Sequence, residues 1–304
     1  MQRYLIRRVL QMIPVLFLLT IIIFGVTRLR GDPTYQFAAP DASAEEIETI
    51  RRAYGFDRPL PEQYLTFMAG VLRGDFGDSF RYRQPALPLV LERVPATLLL
   101  TFAALLVAWI VALPTGLISA LRQNTPVDLA ATSISVIGRA MPNYWLGIML
   151  ILLFSVELRW LPVSGTGDWR YLVLPAVTLG LSVATTLTRL IRSSMLEIIR
   201  QEYITTARSK GLSEWVVVMR HALRNSLIAV VTVFGLQTGW LLGGAVIVEQ
   251  VFAWPGMGRL MLQAVYTRDM ALVQAGVFVS ALIIMGINLL VDVIYTLLDP
   301  RIRY

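Results

Sequence analysis

The chain has one lysine, Lys210, one histidine, His221, and no cysteine. Both fall in a polar, basic segment, Arg189–Arg224, that separates two long apolar runs. A lysine that grips nucleotide phosphates follows a glycine in the loop G-x-x-x-x-G-K-[ST]. Lys210 follows Ser209, so the chain has no such loop, and any ATP hydrolysis belongs to another chain. Nucleophilic catalysis and metal binding need paired or clustered His, Cys or carboxylate groups. A lone histidine in a polar loop provides neither, and it reads as a helix-packing or capping group. The lack of cysteine excludes disulfides and thiolate metal sites. What remains is a surface chemistry: an amphipathic segment able to dock a soluble partner or to lie on lipid.

The elements that position this segment are membrane helices. The chain is 56% hydrophobic and 15% charged, with a mean hydropathy of +0.64, which is outside the range of a water-soluble domain. Six runs have the length of a bilayer crossing: Val9–Thr27, Val94–Leu121, Leu129–Val156 (interrupted by Arg139), Tyr171–Thr188, Asn225–Val248 and Met270–Val291. The expectation is an all-α integral membrane protein with six transmembrane helices, since helices satisfy their own backbone groups in lipid. The first run ends at Arg28-Leu29-Arg30 without a small-residue cleavage pattern and reads as an uncleaved helix. Arginine placement puts both termini in the cytoplasm, with Arg189–Arg224 as the strongly basic inner loop. The arginines bracket helices rather than lining one face, which argues against a nucleic-acid partner.

The chain then divides into an N-terminal helix (1–30), an extracytoplasmic insertion (31–93) and a five-helix core (94–304) with the polar loop at 189–224. In the insertion, Ser43-x-x-Glu46 is a capping box opening a helix that stops near Gly55. Pro61 begins a second helix ended by Gly74. The insertion reads as a cap on the membrane part or as a partner-binding surface. Arg139 and Asp292 are positioned to pair between spans three and six. Gly235, Gly239 and Gly243 place small residues at four-residue spacing, suited to close packing against a further helix. Asn143, beside Pro142, and Gln237 put amides inside spans, where they line a path or bond to a neighbouring helix.

The polar loop has its own punctuation. Ser194 to about Arg208 continues a helix out of the membrane, Gly211 turns the chain, and Ser213 caps a return stretch into the fifth span. On these residues a resemblance rests. YITTARSKGL followed by HALRN resembles the coupling loop of ABC importer permeases, whose pattern is Glu-Ala-Ala, three residues, Gly, then about nine residues and Ile-x-Leu-Pro. Thr205, Thr206 and Ala207 hold the Glu-Ala-Ala positions and Gly211 the glycine. His221 and Leu223 match the later Ile and Leu, and Arg224 replaces the proline. T-A-R-x-K-G and H-x-L-R-N are typical of the peptide/nickel branch. RYLIRRVLQMIPVL, RGDP, RGDFGDSF, ERVPATL, MPNYWLG, GGAVIVEQVFAWPGMGRLMLQAV and NLLVDVIYTLLDPRIRY, in order, are similar to that branch too. The larger external loop resembles the B-type subunit.

The resemblance implies a type I ABC importer permease fold in a bacterial-type cytoplasmic (inner) membrane. It implies a non-catalytic subunit that carries no cofactor itself, with ATP and Mg on partner chains. It implies a second, C-type permease, two ABC ATPases and an extracytoplasmic substrate-binding protein as partners, and alternating access as mechanism. The cargo is then a di- or oligopeptide or a peptide-like solute such as glutathione, with nickel or a nickel chelate as alternative. A channel or scaffold subunit without ATP coupling is the reading from a different class. The coupling residues are Thr205, Thr206, Ala207, Arg208, Lys210, Gly211 and His221. Asn143, Gln237 and Glu249 are expected along the translocation path or gate. The turn at Trp254, Pro255 and Gly256 is expected as a binding-protein footprint, an interfacial anchor or part of the outer gate.

Overall fold

The computed structural model describes residues 2–29, 34, 41–53 and 55–298. Twelve α-helices follow one another among these: α1 (Gln2–Leu29), α2 (Ala44–Ala53), α3 (Leu60–Arg73), α4 (Ala86–Leu121), α5 (Pro126–Ala140), α6 (Asn143–Leu150), α7 (Arg170–Ile199), α8 (Glu202–Ser209), α9 (Glu214–Val216), α10 (Arg224–Val251), α11 (Met257–Tyr266) and α12 (Met270–Leu298). Two π-helical stretches extend α6 (Ile151–Glu157) and join α9 to α10 (Val217–Leu223).

Four helical segments are long and apolar enough to cross a membrane: Ile6–Arg28, Ala86–Leu121, Arg170–Ile199 and Met270–Val293. A fifth crossing results if the bent pair Pro126–Ala140 and Asn143–Glu157 is one span. That pair corrects the expectation of a single helix over Leu129–Val156. The two legs meet at 105°, because Pro142 has no N–H to give and holds the chain extended, at ψ 137°. The expected fifth span lies within the continuous helix α10. Helix α4 begins at Ala86 and α7 at Arg170, so Pro95 and Pro175 sit within helices.

Contacts separate the chain into two compact units. One comprises Met1–Pro95 with Arg259–Gly286. Here the capping box forms as expected: Ser43 N donates to Glu46 Oε2 at 2.8 Å and Glu46 N to Ser43 Oγ at 3.3 Å. Gly74 closes α3 in the left-handed region at φ 75°. The insertion packs on α1 through Tyr64, whose ring meets Phe24 edge-on at 5.5 Å and whose hydroxyl pairs with Thr20 Oγ1 at 2.9 Å. Asp269 pins the turn before α4, accepting from Ser79 Oγ at 2.5 Å and from Arg81 N at 3.2 Å.

The other unit comprises Ala96–Gly258 with Ile287–Tyr304. Helix α7 is its axis: 61% of its most apolar window is buried within the chain, against 11% for α1. Leu179, Val183, Leu187 and Ile191 recur at helical spacing on one face and are fully buried. Small residues set the spacing to neighbours. A Cβ on Gly180 would lie 2.6 Å from the Ala104 carbonyl oxygen and 2.8 Å from Val107 Cβ, both on α4. Gly235 on α10 likewise faces the Val291 side chain of α12. Since the obstacle at Gly180 is backbone, it cannot rotate away. Gly180→Ala is therefore expected to destabilise this unit by about 1–3 kcal/mol, read as a lowered melting temperature in detergent; unchanged melting would show that α4 and α7 can separate freely.

Candidate functional site

The polar loop folds into a short rigid bracket. Helix α7 ends at Ile199, and Gln201 is extended at ψ 147°, so the helix expected over Ser194–Arg208 is two helices with a corner between them. In α8, Ile204 and Ala207 lie three apart on one face and are buried in the same core cluster as Ile191, Met195, Val217, Val218 and Ala222. The opposite face leaves Thr205, Thr206, Arg208 and Lys210 exposed. Gly211 takes φ +76° with open space around its Cα, so the turn needs glycine for its backbone and not for room. Ser213 then sits at the N-cap of the return helix with extended backbone but no side-chain capping bond.

An ion pair closes the bracket. The Arg208 guanidinium meets Glu214 through Nη2 to Oε1 at 2.6 Å and Nε to Oε2 at 3.1 Å. The hydrogen bonds from Arg208 hold the Glu214 carboxyl below its ordinary value. Behind it, Asn225 Nδ2 donates to the Tyr203 hydroxyl at 3.0 Å and to the His221 carbonyl at 2.8 Å. The structure thus gathers Thr205, Thr206, Arg208, Lys210 and Gly211 on one accessible surface. It places Ala207 inside, and His221, half-buried, on the π-helical return. Sequence reasoning missed Leu212 (40% exposed) and Trp215 (71% exposed), apolar side chains on the same bracket. The signal available was an aromatic residue beside a capping serine in a charged loop.

The last turns of α7, ahead of the bracket, carry a charge pair whose carboxylate is buried and whose guanidinium is partly exposed. Asp128, buried, receives Arg192 Nε and Nη2, both at 2.7 Å. It also accepts from Ser119 Oγ and from Asn124 N, the latter at 3.0 Å. These bonds tie together the end of α4, the start of α5 and the last turns of α7.

The second motif is also turned inward. Glu249 on α10 is fully buried and accepts from Thr97 Oγ1 at 2.6 Å. That hydroxyl accepts in turn from Met257 N at 2.8 Å. Side chains at 256 and 258 would run into the Glu249 carboxylate, so Gly256 and Gly258 form its cradle. Trp254 N donates to the Glu249 carbonyl at 2.8 Å, and Trp254 Nε1 to the Ala96 carbonyl at 2.9 Å. Trp254 is 6% exposed and Gly256 is buried. The indole finds its acceptor inside the unit, and of Trp254, Pro255 and Gly256 only Pro255 is partly accessible.

Asn143 and Gln237, far apart in the chain, do meet. They line one cleft of about 420 Å³ with Arg139, Met141, Pro142, Ser182, Thr186 and Trp240. Glu249 does not line it. Arg139 faces this cleft, and among the described residues it forms no ion pair with Asp292, contrary to expectation.

Comparison with known proteins fits this geometry. The family model described as binding-protein-dependent transport system inner membrane component matches residues 112–304. The model of that family's N-terminal part matches residues 1–101. The chain is 42% identical over 305 residues to the glutathione transport system permease protein GsiC of Escherichia coli (strain K12), covering 100% of both. In structure it resembles the MetNI methionine ABC transporter in an inward-facing conformation, with a TM-score of 0.59 at 21% identity over 69% of this chain and 96% of the other. It also resembles an amino acid ABC transporter solved with histidines, with a TM-score of 0.53 at 18% identity over 71% of this chain and 94% of the other.

Two outcomes follow for the bracket and its base. Asp128→Ala leaves the partly exposed Arg192 guanidinium without its partner and is expected to destabilise the fold by about 1–3 kcal/mol, measured by thermal unfolding; an unchanged midpoint would remove the pair from the stabilising set. The Glu214 carboxyl is depressed, so its contribution is present above the ordinary value of 4.5 and is lost as pH falls through the lowered one. Because the pair is exposed, that loss is at most about 1 kcal/mol. Glu214→Gln is expected to flatten the acid limb of stability against pH, and a limb identical to wild type would refute the assignment.

Proposed function

This chain belongs to the binding-protein-dependent transport system inner membrane components, as a peptide/nickel-type permease subunit of an ABC importer, and we propose from that premise how it is oriented, assembled and driven. Its six spans are α1, α4, the bent pair α5–α6, α7, α10 and α12, with both termini in the cytoplasm. It pairs with a second, C-type permease, and a substrate-binding protein delivers cargo from outside. Two cytoplasmic ATPases bind ATP and Mg, one of them seated on the α8 bracket. The cargo is a di- or oligopeptide or a peptide-like solute, in line with the glutathione permease that matches along the full chain.

The observation that carries this reading is the bracket itself: a polar exposed face on a helix whose other face is locked into the core. A surface so anchored transmits displacement instead of absorbing it. ATP binding closes the ATPases, the bracket moves with its groove, and the two permeases reorient outward; hydrolysis resets the inward state. The exposed Trp215 and Leu212 supply the apolar contact that a cytoplasmic partner would cover. The glycine-cradled turn at Glu249 and Pro255 serves as a wall of the outer gate.

The test is substrate-stimulated ATPase activity of the complex reconstituted with its binding protein, across dipeptides, longer peptides, glutathione and nickel. Peptide-like solutes are expected to stimulate, and stimulation by nickel alone would overturn the cargo assignment. For coupling, Gly211→Val forces a β-branched residue into the left-handed region, at a cost of roughly 1–2 kcal/mol. It is expected to leave membrane insertion intact while reducing stimulated ATPase and transport at least about ten-fold. Gly211→Asn, which tolerates that backbone, is expected to retain most coupling. Normal stimulation in Gly211→Val would sink the lever.

A further inference from the structure

The cleft between α5, α6, α7 and α10 has a lining of one kind. Arg139 stands in the last turn of α5 and Asn143 in the first turn of α6. Ser182 and Thr186 are one turn apart on α7, and Gln237 and Trp240 lie nearly one turn apart on α10. All of these line the same space, and no carboxylate does. The side chains of Arg139, Asn143, Ser182, Thr186 and Gln237 make no hydrogen bond to any described residue, whereas the charged pair Asp128–Arg192, elsewhere in the same unit, is fully engaged. Arg139, Pro142 and Trp240 are exposed, so the cleft opens at the surface of the unit.

A guanidinium within a membrane leg is costly unless it meets a counter-charge, by about 2.5–3.5 kcal/mol on insertion scales. Here no carboxylate among the described residues meets it. The free N–H groups of the first turn of α6 add positive potential to the same space. Beside the apolar Met141 and Pro142, the polar side chains on the wall can all donate a hydrogen bond, and the one formal charge among them is positive, in planar bidentate geometry suited to a carboxylate. We propose that this cleft is a carboxylate-recognition site on the translocation path, in which Arg139 binds a free carboxylate of the peptide-like cargo while Asn143, Ser182, Thr186 and Gln237 bond its amides. This rests on the importer reading above and adds to it the group that the permease itself selects.

The last-turn position also lets Arg139 complement the carbonyl end of α5, a purely structural role. The experiment separates the two. Proteoliposomes of the full complex with saturating binding protein import glutathione and its bis-amide, in which both carboxylates are amidated, with wild type, Arg139→Gln and Arg139→Lys compared. Wild type is expected to import the free acid about ten-fold faster than the amide, the effect of one charge-assisted hydrogen bond. Arg139→Gln is expected to bring the ratio near one, and Arg139→Lys to keep most of the preference. An unchanged ratio in Arg139→Gln, or no preference in wild type, overturns the proposal. Should Arg139→Gln fail to assemble, a benzoylphenylalanine at position 240 in an otherwise native complex gives the second measurement. It is expected to crosslink the free acid and not the amide, and equal labelling overturns the site. Absence of ATP-driven import of any peptide by wild type would instead remove the importer reading, and is distinguishable from a wild type that imports without discrimination.

Discussion

Inside a bilayer a helix can break only where protein or a watery cavity receives the backbone groups set free. This chain breaks one at Met141–Pro142, and much of its functional geometry depends on how the break is accommodated. The 105° corner brings the end of α5 and the start of α6 to one point. Gly147, on the second leg, approaches Phe252 and Thr178 so closely that a side chain there would contact the Phe252 ring at 3.0 Å. The corner is thus held from behind by packing and left open in front. In a straight helix Arg139 and Asn143, four apart, would be neighbours on one face; the corner instead puts them on two legs that both line the cleft.

The bracket at the other functional surface works by the opposite device. There the requirement is stiffness, and it comes from burial and charge pairing rather than from an opening. Ile204 and Ala207 continue the core of α7 beyond its end, so α8 is seated on the same apolar cluster as the membrane helix before it. Asp128 and Arg192 fasten the last turns of that helix to α4 and α5. Breaking such a pair costs more than it gains when intact, which suits a joint that must hold position under load. Arg208–Glu214 is the exposed counterpart, worth little in stability, but it fixes the angle between α8 and the return helix.

The sequence made the helical class, the position of the left-handed glycine and the capping box legible, because each is a local property. Gly211, Gly55 and Gly74 all adopt positive φ where the chain was expected to turn. What was not legible depends on partners distant in sequence. Asp128 reads as a solvated loop charge until Arg192, sixty-four positions on, arrives beside it. Trp254 reads as an interfacial anchor until the Ala96 carbonyl is found to receive its N–H. Pro142 was visible as a distortion, but hydropathy alone cannot distinguish a kink from a corner, since both legs remain apolar. The cleft itself was half legible: Asn143 and Gln237 stood out as polar residues in spans, while Arg139 was assigned to Asp292, its nearest formal counter-charge within the spans.

The disposition of charge across the larger unit follows from these placements. Its two buried carboxylates are both engaged: Asp128 by a guanidinium, and Glu249 by the Thr97 hydroxyl within a glycine cradle that admits no other side chain. Arg139 instead faces a cleft in which the side chains of Asn143, Ser182, Thr186 and Gln237 make no hydrogen bond to any described residue. A transport path must attract its cargo without retaining it, so one weak charge serves better than a cluster. A single charge-assisted bond contributes about 1.5–3 kcal/mol, which is enough to prefer a carboxylate yet small against the energy of ATP-driven reorientation. Surrounding that charge with neutral donors keeps the well shallow, and seating it at a corner of broken helix places it where a change in the bend would alter its reach. Under the proposed carboxylate site, selectivity and release would depend on the same residue.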